Sequence, residues 1–106
     1  MEIINCNEYN GWFVGDFQPA LIDSKDFEFG YKRIKAGTRP DYHYHKYKTE
    51  YTILLEGKIQ LEYSNKIINP ITTILLLPNE KNDQFFIEDS LILIVNTPSR
   101  SKDKHY

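Results

Sequence analysis

Apolar positions along the chain fall in runs of four to eight residues punctuated by turn residues, and no segment carries an apolar stripe at helical spacing. This pattern predicts short β-strands over residues 12–17, 26–36, 42–45, 50–55, 58–63, 72–77, 84–87 and 91–96. The breaks between them are chemically distinct. Gly37, Glu56-Gly57 and Ser64-Asn65 are turn material. Gln18-Pro19, Asn69-Pro70 and Pro78-Asn79 stop strands, because proline removes a ladder donor. Residues 16–26 leave room for one short turn of helix. Seven or eight short strands in 106 residues indicate an all-β domain, either a sandwich or a jelly-roll barrel, and periodicity alone does not choose between them.

Composition sharpens the class. Eight Tyr, six Phe and one Trp join many Ile and Leu, a set rich in β formers. The length predicts a single domain over residues 1–106. Charged residues are balanced at a net −2, without the basic excess of a nucleic-acid surface. There is no apolar run of membrane-spanning length, so no membrane partner is expected. Residues 1–11 lack a basic region followed by an apolar segment, and the single Cys6 has no internal partner for a disulfide. A reducing, cytoplasmic setting is therefore expected. Cys6 reads as a surface or packing thiol rather than a nucleophile.

The sharpest chemical signal is a spacing: Gly37, five residues, His43, one residue, His45, four residues, Glu50, six residues, Gly57. On a strand, His43 and His45 point to the same face. A short turn over residues 46–49 lets Glu50 open the neighbouring strand and bring its carboxylate to the same point. Two imidazoles and one carboxylate on adjacent strands form a facial set for a divalent metal, Fe(II), Mn(II), Zn(II) or Ni(II), with positions left open for a substrate.

This spacing resembles the first motif of the cupin superfamily at all five positions. The second cupin motif supplies a fourth ligand, a His five residues after a Pro. Here that stretch is Pro78-Asn79-Glu80-Lys81-Asn82-Asp83, with a carboxylate at the ligand position. Asp83 is thus either a fourth, hard ligand or a turn residue capping the next strand. The segment Gly11-Trp12-Phe13-Val14-Gly15-Asp16-Phe17, the His43-Tyr44-His45-Lys46 centre, Thr49-Glu50, Pro78-Asn79-Glu80 and the tail with Pro98-Ser99 and Asp103-Lys104 are together similar to a group of small bacterial and phage cupins. The resemblance implies a double-stranded β-helix of the RmlC-like kind, a homodimer and, more loosely, a role in carbohydrate metabolism.

Other residues are candidates by parity. Arg33 and Lys35 share one face of the strand leading into the motif, where they either meet an anionic substrate or form the solvated outer face. Tyr31 shares that parity and, with Glu80, is a candidate for moving protons. Phe85 or Phe86, following Asp83, should supply the apolar wall of the pocket, with Phe85 the expected substrate contact. Tyr42 and Tyr44 alternate with the histidines and face away from them. Lys46 and Lys48 read as a solvated turn, and His105 as part of an exposed polar tail.

Two functions are compatible with this reading. In the first, the chain is an enzyme acting on a small polar substrate such as a sugar or nucleotide-sugar, by isomerase, epimerase or lyase chemistry or as a dioxygenase. In the second, it is a non-catalytic module that binds or senses a small ligand. Either way the expected partner is a small molecule.

Overall fold

The structure, a computed structural model, describes residues 1–100 and 102–106. A single 3-10 turn, Cys6–Tyr9, is followed by nine strands: β1 (Trp12–Gly15), β2 (Ile22–Asp23), β3 (Glu28–Ile34), β4 (Thr49–Glu56), β5 (Ile59–Leu61), β6 (Lys66–Ile68), β7 (Thr72–Leu76), β8 (Gln84–Phe86) and β9 (Ser90–Thr97). Six of them form one sheet in the order β2-β1-β3-β9-β4-β7, and three form a second in the order β6-β5-β8. All pairings are antiparallel except the short β1–β2 contact. The expected all-β jelly-roll architecture is the one observed.

Strand β9 runs down the middle of the large sheet, between β3 and β4. Its alternation is regular: Ser90, Ile92, Ile94 and Asn96 are buried, and Leu91, Leu93, Val95 and Thr97 are half-buried on the outer face. The register aligns inward-facing residues of β3, β9 and β4 in rows. Glu28, Asn96 and Glu50 form one row, Gly30, Ile94 and Thr52 the next, and Lys32, Ile92 and Leu54 the third. The barrel interior is therefore graded, with acids and an amide at one end and aliphatic side chains toward the other. The aliphatic end joins Ile59, Ile68 and Phe86 of the small sheet to make the core. Close packing leaves no room for a side chain at Gly30, where a Cβ would sit 2.7 Å from the Trp12 ring.

The two glycines of the histidine motif serve the backbone. Gly37 follows β3 at φ +86° and donates its N–H to the Phe86 carbonyl at 2.7 Å. Gly57 turns the chain from β4 to β5 at φ +103°, and a Cβ there would lie 2.1 Å from Ser90 Oγ. Both positions combine left-handed backbone with a turn that L side chains resist.

Several sequence expectations shift. The predicted strand at 42–45 is not a strand; it is held by one isolated antiparallel bridge from Tyr44 to His105. Residues 16–26 contain β2 instead of a helical turn, and the helical turn lies earlier, at Cys6–Tyr9. Strand β6, Lys66–Ile68, was not anticipated: its three residues are too few to show a period.

Candidate functional site

His43 and His45 sit on the irregular segment before β4, and Glu50 lies near the start of β4, so the three reach one cavity of about 550 Å³ at the polar end of the barrel. The two imidazole rings are 5.2 Å apart, edge to face. Each ring is oriented from behind. His43 Nδ1 lies 2.7 Å from the Asp41 carbonyl oxygen, and His45 Nδ1 lies 2.7 Å from the Asp103 carbonyl oxygen. A carbonyl oxygen only accepts, so each Nδ1 carries a proton, and in the neutral form of either ring the Nε2 lone pair is the free one. That is the arrangement by which metal-binding histidines are fixed in tautomer and direction.

His45 Nε2 approaches Glu50 Oε1 at 3.5 Å, and Thr52 Oγ1 donates to Glu50 Oε2 at 3.1 Å. Two lone pairs facing each other repel unless a proton or a cation lies between them. The hydrogen bond that protonated His45 donates to Glu50 raises the His45 pKa against the opposing effect of burial. Burial pushes Glu50 upward, but hydrogen bonds from His45 and Thr52, with the nearby imidazoles, outweigh it and hold the carboxyl below its usual range. Burial lowers the His43 pKa, with the Asp41 carbonyl working the other way. The donor set and its orientation suit a divalent ion. Among the described residues, however, no group of three or more His, Cys, Asp or Glu side chains already has the spacing of a formed metal site.

The remaining sequence candidates lie elsewhere. Asp83 faces away from the histidines: its carboxylate accepts the Tyr63 N–H at 2.9 Å and lines a second cavity with Arg39, Tyr42 and Glu62, whose shared wall with the first is Pro40, Asn82 and Gln84. The alternation through β8 explains this, since Asn82, Gln84 and Phe86 are the buried set. For the same reason Phe86, not Phe85, forms the apolar wall; Phe85 lies outside beneath the Arg39 guanidinium, 4.8 Å away. Glu80 is in an exposed turn and accepts the Leu77 N–H. Tyr31 points outward and bonds Asn7. Arg33 is exposed and reaches Glu56 at 3.8 Å, and Lys35 is exposed beyond the end of β3. The inward face of β3 is the other parity: Glu28, Lys32 and Ile34 line the cavity.

Four features were not foreseen. Lys48 is buried, and its Nζ donates to Glu28 Oε1 at 2.6 Å. Glu28 also accepts from Asn96 Nδ2 at 2.9 Å and Ser99 Oγ at 3.0 Å, so the ion pair is hydrogen-bonded on several sides. Asp103, 2% exposed, accepts the N–H groups of Lys46, Tyr47 and Lys48, each at 3.0 Å. Burial works to raise its pKa, but those three amides and His105 hold it below the ordinary carboxylate range. His105 is half-buried, stacked on Tyr44 at 5.5 Å, instead of lying free in the tail. Lys48 was legible, because counting back by two from Glu50 places it inside. Asp103 was not, since 53 positions separate it from Glu50 and no local pattern links them.

No protein-family model matches the chain, and no curated protein matches it in sequence. Solved structures do match. A double-stranded β-helix protein from Klebsiella pneumoniae superposes with a TM-score of 0.68 over 92% of this chain and 85% of that one, at 13% identity. KdgF from a Halomonas species gives 0.65 over 73% and 74%, at 18% identity. A sugar phosphate isomerase from the cupin superfamily, from Silicibacter pomeroyi, gives 0.55 over 68% of this chain and 50% of that one, at 19% identity. Among the described residues, no helix is long and apolar enough to cross a membrane. With its two sheets closed around a polar cavity and these neighbours, the chain has the cupin double-stranded β-helix fold.

Proposed function

We propose that this chain is a metal-dependent enzyme acting on a small polar, sugar-type substrate, with His43, His45 and Glu50 as the metal ligands. One observation carries the reading. Both imidazoles are fixed through Nδ1 by backbone carbonyls, and the freed Nε2 of His45 confronts a buried carboxylate at 3.5 Å. A divalent ion bound there supplies Lewis-acid polarisation of a substrate carbonyl or hydroxyl, or, as Fe(II), a site for O₂. The chain's own residues do the rest. Phe86, Ile92 and Ile94 exclude water from one side of the cavity. The Glu28–Lys48 pair faces the same space and is the acid–base couple nearest the row of Glu50. The neighbouring fold carrying a sugar phosphate isomerase supports the substrate class.

A second reading, a ligand-binding module without catalysis, draws on the placement of Tyr31 and Glu80. The two residues expected to move protons both lie outside the cavity. Association of two copies is part of the proposal for either reading: β7 is the terminal strand of the large sheet, and Tyr51, Leu75 and Leu77 are exposed beside it.

Elemental analysis of untagged protein tests the metal assignment. Wild type is expected to carry about one metal per chain. His43→Ala and Glu50→Ala should lose it, whereas Asp83→Ala should keep it. Protein that stays metal-free after incubation with Fe(II), Mn(II), Zn(II) and Ni(II) overturns the reading. Turnover by the loaded protein separates enzyme from binding module.

A further inference from the structure

Among the described residues, two buried polar atoms inside the barrel find no hydrogen-bond partner: Gln84 Nε2 and Asn96 Oδ1. Both side chains are 3% exposed, and both line the 550 Å³ cavity that holds the histidines. They approach it from different sheets, Gln84 from β8 and Asn96 from β9. Asn96 is cross-strand neighbour to both Glu28 and Glu50. Its Nδ2 is spent on Glu28 at 2.9 Å, which fixes the amide and leaves Oδ1 as an acceptor. Gln84 offers a donor.

Such orphans are costly, because a buried amide without a partner forfeits its hydration without return. Apolar residues of the same size would serve the fold better in both places. Apart from Glu50, whose carboxylate faces His45 and takes the proton or cation between them, the interior charges are already matched. Glu28 is paired with Lys48, and Asp103 is saturated by three backbone amides. The unmet demand inside is for a neutral group that both donates and accepts, beside an aliphatic wall of Ile92 and Ile94. Among common small-molecule groups, a hydroxyl on a saturated carbon skeleton meets it. Apart from Lys48, which is spent on Glu28, the cavity's positive charge lies at the rim on Lys32, Lys102 and Lys104, each exposed.

We propose that Gln84 and Asn96 form a hydroxyl-recognition subsite beside Glu50, and that the compound bound is polyhydroxylated, with its hydroxyls inward and any acidic group toward the lysine rim. This deepens the functional reading above and rests on it for the location of the site. It makes Gln84 and Asn96 specificity-determining residues rather than metal ligands.

The test is Gln84→Met, which keeps volume and removes the amide. Binding is measured on the full chain by NMR titration with D-glucose, D-ribose and D-glucuronate, and with cyclohexanecarboxylate as a ring without hydroxyls. Wild type should bind at least one of the three hydroxylated compounds, and Gln84→Met should weaken that binding by roughly tenfold or more. Cyclohexanecarboxylate affinity should be the same in both proteins. Thermal midpoint should be unchanged or about 2–5 °C higher in the variant, since an unpartnered amide has been removed. The proposal is overturned by no hydroxylated probe binding wild type at roughly 10 mM, by equal binding to both proteins, or by a lowered midpoint, which would show the amide satisfied within the fold. Repeating the titration after EDTA treatment separates the two ideas. Hydroxyl discrimination that survives in protein unable to hold metal leaves the subsite standing and removes the metal reading; metal bound without discrimination does the reverse.

Discussion

Replacing Asp103 with alanine should unfold the histidine segment before anything else in the molecule. The carboxylate takes three backbone N–H bonds at 3.0 Å from Lys46, Tyr47 and Lys48, and one contact at 3.3 Å from His105 Nε2. Hydrogen bonds to a charged group contribute about 1.5–3 kcal/mol each when buried, but they are not additive. Lys46 and Tyr47 are exposed, so their amides recover water; the Lys48 amide is buried and does not. One full loss and two partial ones give about 3 kcal/mol. For a domain of this size, that lowers the thermal midpoint by roughly 10–20 °C. Asp103→Asn should fall between wild type and Ala, because its NH₂ must face at least one backbone donor. Loosening of the segment also weakens the hold on the His45 ring, whose Nδ1 donates to the main-chain carbonyl of residue 103 that Ala keeps, and should reduce metal affinity, by up to about 10–100-fold. Thermal denaturation with a metal titration measures both. Lys104→Ala, which removes exposed contacts to Asp41 at 3.5 Å and to the Tyr106 ring, serves as the control for the thermal midpoint, with an expected cost under about 0.5 kcal/mol. A midpoint for Asp103→Ala within a degree or two of the control refutes the argument.

The buried pair makes a contrasting prediction. Lys48→Met leaves Glu28 charged and unpaired and should cost about 3–5 kcal/mol in urea denaturation, while Glu28→Gln with Lys48→Met should recover most of it; a double variant as unstable as the single one contradicts this. In metal-free protein, the His45–Glu50 contact should give a stability maximum. The raised His45 pKa contributes stability that is present below about 6.5 and lost as pH rises through the folded value. The lowered Glu50 pKa contributes stability that is present above about 4.3 and lost as pH falls. The difference in midpoint between wild type and Glu50→Gln should therefore peak between those limits, and a difference flat from pH 4 to 8 speaks against the contact. Leu75→Glu, on the exposed face of the terminal strand, should convert a dimer to monomer in sedimentation velocity; a wild type that already sediments as a monomer removes the association proposal.

How much of this was legible in the sequence depends on which rule each residue obeys. Seven of the strands announced themselves through β-branched and aliphatic runs closed by Gly or Pro. The segment around Tyr44 did not behave as a strand, because its backbone partner is the tail at His105, and a bridge of one residue pair leaves no period to read. The histidine spacing was informative because the motif constrains backbone as well as ligands: Gly37 and Gly57 occupy left-handed positions at its two ends.

Tyr31 and Phe85, expected in the cavity and found outside it, share one physical cause. Strand parity is ordinarily assigned by sending apolar side chains in and charged ones out. At the polar end of this barrel the assignment inverts. Glu28 and Lys32 line the cavity, while Phe29 and Tyr31 lie on the outer surface of the sheet. The same inversion puts Asn82 and Gln84 inside and Asp83 and Phe85 outside. A one-residue error in parity moves every side chain of a strand to the wrong face. It accounts for Tyr31 and Phe85; Arg33 and Asp83, each of which had a position outside the cavity as one of two readings, take that position. Inversion of this kind is expected where a barrel keeps its interior for a ligand, because a core built only for stability would not retain buried acids, a buried lysine and two unpartnered amide atoms at one end. The failure of the ordinary pattern thus marks the polar end of the barrel, where the proposed site lies, and it does so from residues that carry no motif.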